Sequence, residues 1–483
     1  MSTTDITFLF IFLPISLVIY LMKTQWQKYI LLLLSLFFYA CGSPQYFVLF
    51  LGAVAVNTIL GYGINIKRTN AGTGRKYRKV LSKLCLIVGI LFNLSLLFYY
   101  KYYDFAVGNM NQWFSTNFQA KNLLLPLGIS FFVFKAISFL VDVYRERVDL
   151  KKNPVYPALY LSFFAQIQSG PICRYGDFYS VYEQEISMKD KVSNITNGGY
   201  LFVRGFVKKM ILANVLSHIT TEVFAMNVAD ASKALLWLGS ISFSLQLYYD
   251  FSGYSDMAIG IGQMFGIYCP DNFNYPYITA SVSEFWRRWH ISLGTWFKEY
   301  IYFPLGGSRV KSKVRLYFNL LVVWFLTGIW HGANWNFIAW GLFYFVLIAF
   351  EKTTGWPGKF KSKMVKAVYR VLTLLFINFQ WVLFNSADLY SGLRYIKHML
   401  ISPANVLADR RAGILFGEYG VFVIAGMIFA MPVIPWIKDK VAKNKVASCT
   451  VDVVCAVALC GLFIWAVSFV VAGQNNPFMY ANF

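Results

Sequence analysis

The sequence predicts an all-α, polytopic membrane protein, and three observations carry that prediction. Of 483 residues, 58% are hydrophobic and only 14% charged, a balance outside the range of soluble domains. Mean hydropathy is +0.52. Apolar runs of about 17 to 25 residues, long enough to cross a hydrocarbon core about 30 Å thick, recur along the whole sequence. A chain in lipid must satisfy its own backbone polar groups, and runs of this length do so as helices.

The first run, Phe8 to Met22, has no basic residues before it and meets its first lysine, Lys23, after it. It is read as a retained helix. The basic stretches Lys23 to Lys28, Lys67 to Lys83 and Arg145 to Lys152 are placed in the cytoplasm by the positive-inside rule. Spans near 6–22, 29–43, 46–64, 84–100 and 123–143 then alternate from an external N-terminus, the second of them short. Towards the other end, Arg309 to Arg315, Lys352 to Lys366 and Lys438 to Lys445 bracket spans near 316–331, 335–350, 367–386, 412–437 and 449–472. These leave the C-terminus outside.

The middle, about 155–300, is interrupted by Gln166, Gln168, Ser169, Gly170, Pro171, Gln246, Asp250, Gly253 and Asp256. Broken backbone at membrane depth is tolerated only when buried in protein or lining a wet cavity, so the site is expected there. No internal repeat is evident.

The net charge of +22 falls in short loops beside apolar spans, which removes the case for a nucleic-acid partner. Seven cysteines, at 41, 85, 173, 269, 449, 455 and 460, form no CxxC pair and are read as small packing residues. Four histidines and no cluster at ligand spacing give no expectation of a metal or haem.

The densest polar and aromatic stretch is Ser283-Glu284-Phe285-Trp286-Arg287-Arg288-Trp289-His290-Ile291-Ser292-Leu293, followed by Trp296, Phe297 and Tyr300. Wound as one helix, it puts Trp286, Trp289, Leu293 and Trp296 on one side and the arginines towards another. Two readings compete: aromatic and basic anchors at the headgroup level, or arginines that hold an anionic ligand such as a phosphate.

His331 lies in Thr327-Gly328-Ile329-Trp330-His331-Gly332-Ala333-Asn334-Trp335-Asn336, a polar break between two apolar runs. A helix from Arg315 reaches it after about 24 Å, and an ionisable group at that depth is a functional candidate by default. Gly328 and Gly332 leave room for a ligand or for close helix packing. A neutral imidazole can take a proton from a hydroxyl nucleophile and return it to a leaving group, the requirement of acyl transfer. Asp250 and Asp256, in apolar surroundings, are read either as partners of a histidine or of Arg287 or Arg288, or as ion-pair glue. Lys135 and Asp142 are expected to find separate partners, and His218 and His398 to be structural.

These motifs, Phe285 to Leu293 and Trp330-His331-Gly332-Ala333-Asn334-Trp335, resemble signatures of the membrane-bound O-acyltransferase family, in the wording of its alginate-acetylating branch. The likeness extends to Leu125-Pro126-Leu127-Gly128-Ile129-Ser130-Phe131, Gln168-Ser169-Gly170-Pro171-Ile172, Asp250 to Asp256 and Pro304-Leu305-Gly306-Gly307-Ser308-Arg309. It implies one integral membrane domain over 1–483, with N-terminal spans (1–150), a catalytic core (155–350) and C-terminal spans (367–483). About eleven transmembrane helices, with re-entrant or interfacial helices, would enclose a catalytic tunnel. It also implies that His331 stands at the catalytic position and His290 at the second histidine position, with Arg287, Arg288, Trp286, Trp289, Asn334, Asp250 and Asp256 binding donor or substrate.

The implied reaction takes an acyl group, acetyl in the first instance, from cytoplasmic acetyl-CoA or an acyl carrier, with no permanently bound cofactor. The acceptor would be an extracellular or periplasmic polysaccharide, reached through a separate extracytoplasmic SGNH-type or similar acetyltransferase. The setting implied is a bacterial cytoplasmic (inner) membrane. D-alanyl transfer toward teichoic acid is the rival within the same chemistry. A glycan transporter or flippase, or a scaffold for polysaccharide machinery, is the rival of another class, and neither needs two histidine motifs.

Overall fold

Apolar sequence and an obligation to pair every backbone N–H and C=O lead to helix, and a computed structural model shows helix over most of the apolar runs. It describes residues 2–22, 26–66, 75–150, 153–179, 187–474 and 478–479. Lys23, Lys67, Arg68, Lys151 and Lys152, counted in the basic stretches, lie outside the described residues. Among those described, strand pairing amounts to one isolated bridge between Phe273 and Trp289.

Seven described helices are long and apolar enough to cross a membrane: Pro44–Asn65, Tyr77–Phe114, Lys313–His331, Trp335–Thr354, Lys363–Asn385, Arg410–Phe429 and Lys445–Val471. Phe8–Leu21 and Gln27–Gly42 are shorter apolar helices. Three spans differ from expectation. The run at 123–143 becomes helical only at Ile129, after Gly128 takes a left-handed conformation. The run at 84–100 belongs to a helix of 38 residues. The run at 412–437 stops at Phe429, and Val433–Val441 is a separate helix, because Pro432 cannot continue the first.

The chain divides, in the main, into one compact unit of Met1–Phe202 and Ser255–Pro270 and another of Val203–Tyr254 and Asp271–Met479. The expected catalytic core, 155–350, is shared between them.

In the first unit, the stretch between the helix Val155–Ser162 and Tyr175 contains one short turn, Phe164–Gln166, and is otherwise non-helical. Residues 159–173 are buried apart from half-buried Gln168, so this broken backbone is enclosed in protein, as lipid requires. Gly128 lies against it so closely that a Cβ there would come within 1.7 Å of the Ile167 carbonyl oxygen. Lys135 and Asp142 have separate partners: Lys135 Nζ donates to the Tyr160 carbonyl at 2.6 Å, and Asp142 faces Arg147 at 3.6 Å.

Gln246, Asp250, Gly253 and Asp256 do not break their helix. Lys233–Met264 runs through them for 32 residues. In the second unit the polar side chains are met by neighbours: Thr220 Oγ1 donates to Gln246 Oε1 at 2.5 Å, and Asp250 forms a buried ion pair with Lys209.

Candidate active site

Both motif histidines belong to the second unit. His331 is the last residue of Lys313–His331, which returns as Trp335–Thr354. The two helices pack at glycines: a Cβ on Gly341 would meet the Trp324 carbonyl oxygen at 2.4 Å and the Gly328 Cα at 3.2 Å. A Cβ on Gly332 would meet the Phe337 ring at 2.2 Å. Gly328 and Gly332 thus serve close packing. The connection is pinned by asparagines, with Asn334 Nδ2 donating to the Ala387 carbonyl at 2.9 Å and Asn336 Nδ2 to that of Ser386 at 2.9 Å.

His331 is 2% exposed. Its ring lies edge-on to Trp330, Trp340 and Phe384, at centroid distances of 4.9, 4.8 and 5.2 Å. Trp340 in turn packs on Trp286 and Trp381. The indole N–H groups of Trp286, Trp340 and Trp381 are buried and have no acceptor among the described residues, a costly arrangement that a ligand oxygen would relieve.

His290 interrupts what reads as one helix. Val282–Arg288 ends, Trp289 is extended, and Ile291–Phe297 begins after His290, whose φ and ψ of 46° and 52° are left-handed. A non-glycine residue held there is strained and has to be fixed by its surroundings. Asn272 supplies the fixing: its carbonyl oxygen accepts from Ile291 N at 3.0 Å, and its Oδ1 accepts from Ser292 N at 3.2 Å. His290 Nδ1 lies 3.0 Å from the same Oδ1. Burial pushes the His290 imidazolium from 6.5 down to about 3, so the ring is neutral near pH 7.

One indole meets both histidines. The Trp330 ring is centred 6.0 Å from that of His290 and 4.9 Å from that of His331.

The start of Val282–Arg288 is capped on several sides. Ser281 Oγ accepts from Glu284 N, and Glu284 Oε2 accepts from Ala280 N. Buried Glu351 accepts from Val282 N at 2.7 Å, Ser283 N at 2.8 Å and the Tyr369 hydroxyl at 2.9 Å. Arg288 pairs with Glu284 at 2.9 Å and donates to the Asn274 carbonyl, while Arg287 is exposed. Trp289 and Trp296 are 1% and 4% exposed, which corrects their reading as headgroup anchors: both pack in the interior.

Asp250 is not brought to Arg287 or Arg288. Besides Lys209 it accepts from the Met479 backbone N–H at 2.9 Å, tying the end of the described chain to the core. Asp256 belongs to the first unit, whereas the surroundings of His331 described above come wholly from the second. His218 stacks on Tyr419 at 5.8 Å, and His398 Nδ1 pairs with Asn405 Oδ1 at 2.7 Å. Among the described residues, no three His, Cys, Asp or Glu side chains gather as a metal site would need.

The family model for membrane-bound O-acyltransferases matches residues 1–393. The chain belongs to that family. This membrane-bound O-acyltransferase is 35% identical over 429 residues to a probable alginate O-acetylase of Pseudomonas aeruginosa, covering 88% of this chain and 79% of that one. It is 36% identical over 424 residues to a peptidoglycan O-acetyltransferase of Helicobacter pylori, covering 81% and 78%. Over 283 residues it is 29% identical to a teichoic acid D-alanyltransferase of Bacillus subtilis, covering 55% and 69%.

Three residues of this acyltransferase escape a reading of motifs: Asn272, Glu351 and Lys209. Glu351 carries a signal in the sequence, as the sole acidic residue between Glu299 and Asp388. Asn272 carries none, since eighteen residues separate it from His290.

Proposed function

We propose that this enzyme passes an acetyl group from a cytoplasmic thioester donor to a polysaccharide outside a bacterial cytoplasmic membrane, with its N-terminus external. The observation that supports this reading most is that two buried histidines, His290 and His331, both pack against the Trp330 ring. His331 takes the proton of the acceptor hydroxyl as its oxygen attacks the thioester carbonyl. The carbon–sulfur bond then breaks, and the proton passes to the departing thiolate.

Neutral His290 keeps a second proton-accepting nitrogen within the same aromatic enclosure. The buried indole N–H groups supply donors for the acyl oxygen, whose charge grows in the transition state. Arg287 and the Arg288–Glu284 pair form the polar side by which donor phosphates are held. Acetyl-CoA or an acyl carrier fits as donor, and an extracytoplasmic SGNH-type partner fits as the protein that completes transfer to sugar. The relatives named for alginate and peptidoglycan acetylation support acetyl and a glycan acceptor, and they cover more of the chain than the D-alanyl relative.

The test is the acetyl content of the host's extracellular polymer in cells carrying wild type or His331→Ala, at membrane levels matched by immunoblot. Loss of acetyl at equal protein level is the expected result. Unchanged acetyl would remove His331 from the chemistry and turn the assignment toward a transporter or scaffold.

A further inference from the structure

Two of the seven cysteines share one seat in the first unit. Gln166 Nε2 lies 3.3 Å from Cys173 Sγ and 2.8 Å from Cys269 Sγ. The amide cannot turn round, because its oxygen accepts from the Lys135 ammonium at 3.3 Å. That ammonium also sits 4.6 Å from the centre of the Tyr160 ring, and the Tyr160 hydroxyl donates to the Cys173 carbonyl at 2.9 Å. Cys173 is fully buried, while Cys269 is half-buried. A packing role needs neither the pairing nor the shared amide.

We propose that Cys173 and Cys269 are an oxidisable dithiol, a modification site that a low-molecular-weight disulfide converts to an intramolecular disulfide. The Cys269 thiolate attacks one sulfur of the reagent, whose sulfur–sulfur bond breaks; the first reagent thiolate leaves and takes up a proton. Cys173 sulfur then attacks Cys269 sulfur, the mixed disulfide breaks, and the second reagent thiolate leaves with the Cys173 proton. Two thiols are oxidised, and one reagent disulfide is reduced to two thiols. The order follows from exposure: burial pushes the Cys173 thiol up, so half-buried Cys269 meets the reagent first.

Oxidation reaches the chemistry through the chain itself. Cys269 precedes by three residues Asn272, whose oxygen meets His290. A disulfide draws its two sulfurs to about 2.05 Å, so the chain leading to Asn272 is pulled and acyl transfer slows. This last consequence rests on the proposed function; formation of the bond does not.

The test uses full-length protein in native membranes treated with oxidised glutathione, then alkylated, digested and analysed by mass spectrometry. The expected product is a peptide pair joined through 173 and 269, cleaved by dithiothreitol, with Cys173→Ser trapping glutathione on Cys269. Free thiols at both positions, while Cys449, one turn inside the start of Lys445–Val471, becomes glutathionylated, would overturn the proposal. A joined pair with unchanged acetyl transfer would overturn the link to Asn272. Absence of transfer even in reduced wild-type membranes would count against the proposed function and leave the peptide result intact.

Discussion

Asn272 decides which nitrogen of His290 carries the proton. Its Oδ1 accepts from the backbone N–H of Ser292 at 3.2 Å, a group that can only donate, so the atom facing His290 Nδ1 at 3.0 Å is an oxygen. Nδ1 must then donate, and Nε2 keeps the lone pair.

Asn272→Ala removes that acceptor and lets the ring choose its tautomer. The expected result is a loss of transfer of about tenfold to a hundredfold, by analogy with the range for partners that orient metal-ligating histidines. Asn272→Asp keeps an oxygen there and is expected to retain more activity. Initial rates with a thioester donor in membranes matched for protein decide it, and wild-type rates for the alanine variant would refute the orienting role.

His290 also sets a pH dependence of stability. Its folded value of about 3 lies below the ordinary 6.5, so between those limits the unfolded chain binds the extra proton. Stability is therefore full above about pH 6.5 and falls as pH drops toward 3, by about 1.4 kcal/mol per unit, or on the order of 2 kcal/mol at pH 5. Asparagine tolerates the left-handed backbone, so His290→Asn should fold and lose that acid sensitivity. Thermal unfolding in detergent at pH 7 and pH 5 measures it; equal slopes for the two proteins would show that other groups govern.

Glu351 is the third fixed point. Glu351→Ala leaves the Val282 and Ser283 N–H groups and the Tyr369 hydroxyl without their carboxylate, and about 2–4 kcal/mol of stability is expected to go. Glu351→Gln keeps one acceptor oxygen and should lose roughly half as much. Glu284 reinforces the same cap: burial pushes its carboxyl up, but the Ala280 N–H and Arg288 outweigh that and hold it below its usual value. Melting points of the two Glu351 variants in detergent test the ranking, and two unchanged values would exclude Glu351 from holding this helix.

Spans were legible because hydropathy is a property of the residues themselves, and the place of His331 at the end of its helix was legible because a histidine followed by glycine ends an apolar run. The break at His290 was not. Phe285 to Leu293 contains no Gly or Pro, and its Trp, Arg and Leu residues suit a continuous helix. The interruption comes from Asn272, which takes the first N–H groups of Ile291–Phe297 from outside the segment. The opposite error arose at Gln246 to Asp256, where polar residues looked like breaks. They interrupt a helix only by competing for its backbone, and here Thr220 and Lys209 engage the side chains instead. Gly253 serves contact, since a Cβ there would come within 2.7 Å of the Gly205 carbonyl oxygen.

The buried pair Lys209–Asp250 bears on two readings that the sequence left open, a carboxylate that serves a histidine or an arginine of the site, or ion-pair glue. Lys209 and Asp250 are 3% and 1% exposed, so neutralising one partner strands the other in a medium that solvates it poorly. Asp250→Asn is expected to lower stability by about 3–5 kcal/mol, whereas replacing both partners with apolar residues of similar size removes both charges together and should recover most of it. Lys209→Met with Asp250→Leu is that double variant. If Asp250 is glue, folded yield by size exclusion and acetyl transfer recover together in the double variant. Recovery of folding without recovery of transfer would instead give Asp250 a part in the chemistry that its two partners here do not reveal.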